Sequence, residues 1–177
     1  YENKIINRDS IYTKWYHNEV RALYLHPVSK QLYVGNNQGL HYWKDEKLIP
    51  VLDTSLQLSN ISVLYGISTH LWVGTESSGL FIYRFKDHQL FQISDASYIR
   101  SIKPDEENTL LIASNEGVLV VDSLREIERY TVEDGLLTNE VQDAYYDRER
   151  YIYVANSEGL LKLDRSAYIQ NPVSSED

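Results

Sequence analysis

Short stretches of apolar and aromatic residues recur along the chain at nearly constant intervals. Each of four stretches holds an apolar run, a polar break, a Gly and further apolar positions, at residues 32–43, 71–83, 110–121 and 152–163. The glycines are Gly39, Gly79, Gly117 and Gly159, in steps of 40, 38 and 42 residues. Runs of this length around a Gly-containing break predict short β-strands joined by tight turns.

A second set of apolar stretches precedes the first, at residues 20–25, 61–66, 99–104 and 141–146. Their first residues, Val20, Ile61, Ile99 and Val141, are separated by 41, 38 and 42 residues. Because two independent landmarks share one period, the chain is predicted to contain four copies of one structural unit.

Each unit contains four short β-prone stretches within about 40 residues, which is typical of a β-propeller blade. In the second unit they lie at about 61–68, 71–75, 80–85 and 89–94. A helical solenoid would need apolar spacings of three and four, and these are absent. The predicted fold is therefore all-β, a propeller fragment of about four four-stranded blades.

The blades are predicted at about 19–52, 60–94, 98–132 and 140–165 of a single propeller segment that spans 1–177. Residues 1–18 are expected to form a partial preceding strand, and 166–177 a linker or the start of another blade. Because the chain begins at Tyr1 without Met, we expect it to be part of a longer protein. The repeated glycines are expected to serve turns with positive φ or close backbone approach, since none belongs to a phosphate-binding pattern.

Composition excludes several classes of partner. The formal net charge is −9 and no Lys/Arg cluster reverses it, so nucleic acid is not an expected partner. There is no Cys, which excludes disulfides and thiolate zinc sites. No apolar run approaches the length of a membrane helix, so no direct membrane contact is expected.

No catalytic or metal site is predicted. The histidines are scattered through the repeat without zinc-binding spacing, at His17, His26, His41, His70 and His88. No motif of a serine or cysteine nucleophile is present. The acidic run 105–107 is interpreted as a solvated turn rather than a calcium site. We expect no catalytic residue, no metal ion and no cofactor in this chain.

Residues 130–139 (YTVEDGLLTN), with 71–75 (LWVGT) and Gly79-Leu80, resemble the two-component regulator propeller repeat. Residues 32–35 (LYVG) follow the same pattern, and the resemblance covers about 19–165. The third and fourth units depart from it, since Ala113 and Ala155 stand where the repeat has Gly.

The resemblance implies the periplasmic or extracellular sensor region of a bacterial hybrid two-component system, anchored in the inner membrane and followed by a histidine kinase. In that family the propellers have seven blades, so this chain would be an incomplete arc. Those sensors commonly detect glycan fragments, which implies an oligosaccharide ligand here.

Polar loops are the predicted recognition surface. If the first strand of each blade lines the propeller axis, the loops between second and third strands share one rim with the loops that precede the first strands. Sugar hydroxyls need paired donors and acceptors, which these loops supply. The expected ligand-binding residues of the loops are Asn36, Asn37, Glu76, Asn115, Glu116, Thr138, Asn139, Asn156 and Glu158.

Four aligned positions begin the first strands, at Arg21, Ser62, Arg100 and Gln142. Arg21 and Arg100 are expected to capture an anionic group of the ligand bidentately. The alternative is that the two arginines pair with rim carboxylates and stabilise blade packing.

Three functions remain open at this point. The first is ligand sensing without catalysis. The second is a constitutive protein-interaction scaffold, because propellers offer flat binding faces, and the third is a propeller lyase. Since a blade cannot bury its faces alone, we expect further blades, a second chain or a homodimer contact at the two open ends of the arc.

Overall fold

The computed structural model describes residues 19–51, 58–105 and 109–165. Within them the chain forms fifteen β-strands and one short 3-10 helix, Val132–Asp134. The strands lie in four antiparallel sheets, and strand order within each sheet follows the chain. The predictions for 1–18 and 166–177 lie outside the described residues, as does that for His17.

The first two sheets have four strands each. Blade 1 consists of β1 Val20–Leu25, β2 Leu32–Asn36, β3 Gly39–Lys44 and β4 Lys47–Pro50. Blade 2 consists of β5 Ile61–Gly66, β6 His70–Thr75, β7 Leu80–Arg84 and β8 Gln89–Ser94.

The third sheet also has four strands, and the fourth has three among the described residues. Blade 3 consists of β9 Ser101–Pro104, β10 Leu110–Ser114, β11 Gly117–Val121 and β12 Glu126–Tyr130. Blade 4 consists of β13 Val141–Tyr146, β14 Tyr151–Asn156 and β15 Gly159–Asp164.

The first strands of successive blades contact one another, β1 with β5, β5 with β9 and β9 with β13. They therefore form the inner edge of the arc, as a propeller requires. The prediction of an all-β propeller fragment is confirmed. No helix in the described part of the chain is long and apolar enough to cross a membrane.

The hydrophobic core is divided into three layers, and each layer fills the space between two neighbouring blades. Leu40 of blade 1 packs with Leu71 and Val73 of blade 2. Trp72 of blade 2 lies with Ile112 of blade 3, and the third layer joins blades 3 and 4. Since burial occurs between blades rather than within them, the arc is held together at its blade interfaces.

In each of blades 1 to 3, a small residue in the second strand receives a branched side chain of the next blade. A Cβ placed on Gly35 would lie 2.4 Å from Cγ2 of Ile61, and one on Gly74 would lie 2.5 Å from Cγ2 of Ile99. At the third interface the corresponding residues are Ala113 and Val141, which share one buried cluster. The larger Ile therefore meets Gly, and the smaller Val meets Ala.

The turn glycines have the backbone geometry that the repeat predicts. Gly79 and Gly117 have φ of 101° and 109°, and Gly39 and Gly159 are also in the positive region. A Cβ on Gly79 would lie 2.2 Å from the carbonyl oxygen of Ser94, so only Gly fits there.

The interpretation of residues 105–107 as a solvated turn is wrong for Asp105. Its side chain is fully buried and accepts hydrogen bonds from Nη1 of Arg165 at 2.8 and 3.0 Å. The partner lies 60 residues away, beyond β15, so local sequence composition carried no sign of it.

Candidate functional site

Backbone hydrogen bonds bring two kinds of loop onto one rim of the arc. The amide of Glu76 donates to the carbonyl of Asn60 at 3.0 Å, and the amide of Tyr98 donates to the carbonyl of Glu76 at 2.9 Å. Asn115 N donates likewise to Ser97 O at 3.1 Å. The loops between second and third strands therefore meet the loops that precede the next blade, as predicted for a shared rim.

The last residue of each second strand holds its own turn. Asn36 Oδ1 accepts from the amides of Gln38 and Gly39 at 2.8 and 2.9 Å, and Asn156 Oδ1 accepts from Glu158 N at 2.9 Å. The hydroxyls of Thr75 and Ser114, at the aligned positions, accept turn amides in the same way. Asn36 and Asn156 thus have a structural role that the polarity of the loops did not reveal; ligand contact through them stays a prediction.

Glu116 joins two blades. Its carboxylate accepts from the amide and hydroxyl of Ser97 at 2.8 and 3.1 Å and from Nη1 of Arg129 at 2.7 Å. These bonds, the Ser97 amide first, lower the pKa of the Glu116 carboxyl. Its two oxygens are already engaged in packing blade 2 against blade 3.

The remaining predicted loop residues are dispersed along the rim. Asn139 Oδ1 accepts from Val132 N at 2.8 Å, and Thr138 Oγ1 accepts from Glu140 N at 3.2 Å. Both bonds order the loop between blades 3 and 4. Asn37 and Asn115 are half-buried, and Glu158 is exposed beyond β14.

A recess of about 360 Å³ opens between the first strands of blades 1, 2 and 3, and we call it the rim recess. Its lining residues are Arg21, Ser62, Glu76, Tyr98, Ile99 and Arg100. The predicted residues Arg21, Glu76 and Arg100 therefore lie around one space. Gln142, at the fourth aligned position, is exposed outside this lining.

Tyr98 and Ile99 were not predicted as lining residues. They directly precede Arg100 in the chain, and Tyr98 has φ of 51°, as Asn60 has 54° at the matching position of blade 2. In blades 2 and 3, a residue with positive φ therefore lies shortly before the first strand, where the chain crosses the rim.

Arg21 is neutralised by two carboxylates. Its guanidinium pairs with Glu76 across the recess and with Glu19 at 2.9 Å on its own loop. The hydrogen bond to Glu19, followed by that to Glu76, raises the pKa of Arg21. Arg21 therefore pairs with carboxylates, which is the alternative to ligand capture that the sequence offered.

Arg100 lies in the same recess, but its guanidinium has different partners from that of Arg21. Its Nη1 donates to the carbonyl of Val141 at 3.3 Å, and its guanidinium lies 5.7 Å from the ring centroid of Tyr98. Among the described residues no carboxylate pairs with it. A guanidinium has five N–H donors, so most of those of Arg100 remain available to a ligand.

The rim recess combines one available cation, one ion pair, a serine hydroxyl and an aromatic ring. Its volume lies within the range of small-molecule sites, roughly 300–1,000 Å³. Such a set can bind a small polar molecule that carries an anionic group beside hydroxyls. The described residues hold no group of three or more His, Cys, Asp or Glu placed to bind a metal ion.

No protein-family model matches the chain, and no curated protein matches it. Solved structures do resemble it. The extracellular domain assigned to the hybrid two component system BT3049 of B. thetaiotaomicron gives a TM-score of 0.69 at 20% identity, over 84% of this chain. The extracellular domain assigned to the one component system BT4673 of the same organism gives 0.68 at 18% identity, over 85% of this chain.

The WD40 propeller domain of Doa1 is similar at a TM-score of 0.60 and 12% identity, over 83% of this chain. At such low identities these likenesses establish the propeller fold and nothing finer. The chain spans only 21% and 24% of the length of the two B. thetaiotaomicron structures.

Proposed function

We propose that this chain is the ligand-binding propeller segment of an extracellular or periplasmic sensor of the two-component type, without catalysis of its own. Its ligand is an oligosaccharide fragment that carries an acidic group, held in the rim recess. The observation that carries this proposal is Arg100, whose guanidinium faces the recess and has no carboxylate partner among the described residues.

The electrostatics of the rim recess favour an anionic group at Arg100. The net charge of −9 disfavours anions over the protein as a whole, so Arg100 would act as a local exception. Its planar donors match a carboxylate bidentately. The Ser62 hydroxyl donates to the carbonyl of Ile99 and can accept from a sugar hydroxyl, and the Arg21–Glu76 pair offers further hydrogen bonds. A saccharide with a carboxylate would use both features.

The sensor role is supported by the structures that share this fold. BT3049 is described as the extracellular domain of a hybrid two component system, and BT4673 as that of a one component system in one structure and of a hybrid two component system in another. Because this chain covers about a quarter or less of those domains, signal output would reside in other parts of the protein, including the proposed histidine kinase.

Calorimetric titration of the chain with digalacturonate tests the proposal, with cellobiose as the neutral comparison. Binding of digalacturonate is expected and should weaken roughly tenfold or more in Arg100→Gln, because a charge-assisted bond contributes about 1.5–3 kcal/mol. Arg125→Gln, an exposed arginine on the β11–β12 loop, is the matched control and should bind as the unmodified chain does. Equal binding of the acidic and neutral sugars, or no binding of either, would overturn the proposal.

A protein-interaction scaffold is the second candidate, and the ends of the arc favour it. Leu23 and Leu25 of blade 1 are 61% and 56% exposed, and Tyr145 and Leu160 of blade 4 are 56% and 73% exposed. These apolar side chains suit another blade, a second chain or a dimer partner. Light scattering over a concentration series tests self-association: a dimer supports it, and a monomer at all concentrations contradicts it.

A further inference from the structure

A second recess lies between blades 1 and 2, among residues of their second to fourth strands. We call it the inter-blade recess; it encloses about 410 Å³, and its side chains include Gln31, Tyr33, Tyr42, Tyr83 and His88. A neighbouring recess of about 550 Å³ shares Tyr33 with it. None of the residues that line the rim recess takes part in either.

The tyrosines of this recess are exceptional within the repeat. Tyr33 of β2, Tyr42 of β3 and Tyr83 of β7 come together at the interface of blades 1 and 2. The aligned positions hold Trp72, Ile82 and Val121 at the next interface, and Leu111, Val120 and Leu163 at the one after. Those two interfaces fill the same space with apolar core. Here three phenol rings line an open volume instead.

Two of the three hydroxyls have no hydrogen-bond partner among the described residues. Tyr83 Oη donates to Nδ1 of His88 at 2.6 Å, which fixes that pair. Tyr33 and Tyr42 make no such bond, and both side chains are only half-buried. Their hydroxyls are therefore available to a bound molecule, as donors and as acceptors.

The aromatic rings supply apolar surface around these hydroxyls. The ring of Tyr33 lies 6.4 Å from that of Tyr83 at an interplanar angle of 56° and 5.3 Å from that of Phe85. Among the described residues, no Lys, Arg, Asp or Glu lines the inter-blade recess. Its described lining thus offers aromatic faces with phenol and amide groups at their edges, without a carboxylate or cationic side chain such as the rim recess has.

We propose that the inter-blade recess is a second binding site, which takes a neutral sugar ring. The C–H face of a pyranose packs against a phenol ring, and its hydroxyls bond to the hydroxyls of Tyr33 and Tyr42 and to Oε1 of Gln31. Nε2 of Gln31 donates to the carbonyls of Trp43 at 2.6 Å and Leu32 at 3.4 Å. The volume accommodates one such ring within the usual range of small-molecule sites. This inference is independent of the acidic ligand proposed for the rim recess.

NMR titration with the methyl glycosides of glucose, galactose and mannose tests the proposal. At least one is expected to bind with a Kd of about 1 mM and to shift backbone amides of β2, β3 and β7. Tyr33→Phe and Tyr42→Phe keep the rings and should each weaken binding roughly three- to tenfold by removing one hydrogen bond.

The control is Tyr65→Phe on β5, a half-buried tyrosine that packs in the layer between blades 2 and 3. It should leave the affinity unchanged, and an excess of digalacturonate should not displace the glycoside. Absence of a saturable shift at about 10 mM of every glycoside overturns the proposal, since a site with that Kd would then be almost full. An equal loss in Tyr65→Phe, or shifts confined to the rim recess, also overturns it.

Discussion

Nη1 of Arg165 lies 2.8 and 3.0 Å from the two carboxylate oxygens of Asp105. Asp105 follows the first strand of blade 3, and Arg165 follows the last described strand of blade 4. The Asp105 side chain is fully buried and that of Arg165 is 12% exposed. The Arg165 guanidinium also lies 4.9 Å from the centre of the Tyr146 ring. This ion pair therefore fastens blade 4 to blade 3 at some distance from the rim.

Asp105→Asn should lower the free energy of unfolding by about 2–4 kcal/mol, because it removes the closer of two carboxylates beside the largely buried guanidinium of Arg165, whose other carboxylate, on Glu128, lies 3.8 Å away. Urea denaturation followed by circular dichroism measures the change. Asp87→Asn is the control, since Asp87 pairs with Arg84 on the surface and such pairs contribute about 0–1 kcal/mol. Similar losses in the two variants would contradict a special role for the buried pair.

Gly35→Ala should destabilise the chain by about 1–3 kcal/mol, since the added methyl group would overlap Ile61 at the interface of blades 1 and 2. Adding Ile61→Ala should make the double variant lose less than the sum of the two single losses, because Ile61→Ala removes Cγ2, the atom that the added methyl group would overlap. A double-mutant cycle in urea gives the coupling. If the losses in free energy of unfolding of the two single variants simply add, the two side chains do not compete for the same space.

Asn36→Ala should cost about 1 kcal/mol or more of stability, because two turn amides lose the oxygen that accepts from them. Thermal unfolding measures the effect. Ser77→Ala, an exposed residue of the matching turn in blade 2, is expected to change stability by less than about 0.5 kcal/mol. An unchanged melting temperature for Asn36→Ala would contradict the role of the Asn36 side chain in holding this turn.

Tyr83 should make stability fall at alkaline pH. Burial raises the pKa of Tyr83 to about 12 from the ordinary 10.0 of the phenol. The folded state therefore favours the neutral form, and this contribution is complete below pH 10.0 and is lost as pH rises towards 12. The loss amounts to about 1.4 kcal/mol per pH unit.

Comparison of the unmodified chain with Tyr83→Phe isolates this contribution. The variant loses the hydrogen bond to His88 and should be less stable at pH 8, but its stability should fall less steeply above pH 10.0. Burial raises the pKa of Tyr130 as well, so a shallower decline remains in both proteins. Parallel declines in the two would contradict the assignment to Tyr83.

The repeat was sufficient to predict the blades, because each blade is built from contacts within about 40 residues. The strands predicted for the second unit at 61–68 and 89–94 occur at Ile61–Gly66 and Gln89–Ser94. The turn glycines were predictable for the same reason, since the turn that they serve is local.

Features that depend on contacts between blades were not predictable. The ion pair of Asp105 with Arg165 joins residues 60 apart. For Arg21 the sequence offered pairing with rim carboxylates as an alternative, but it did not identify Glu76, 55 residues away, as the partner. The inter-blade recess was missed because its tyrosines occupy different positions of two repeats. A usable signal was present: Tyr33, Tyr42 and Tyr83 stand where the following interfaces have residues without a hydroxyl group.

The side-chain Nε–H signal of Arg100 provides the most direct test of ligand binding at the rim. In an NMR titration with digalacturonate, that signal is expected to shift and saturate, while the Nε–H signal of Arg125 stays in place. The Arg21 signal should move less, because its guanidinium keeps its bonds to Glu19 and Glu76. An Arg100 signal that does not move at saturating ligand, or that moves no more than that of Arg125, would contradict binding in the rim recess.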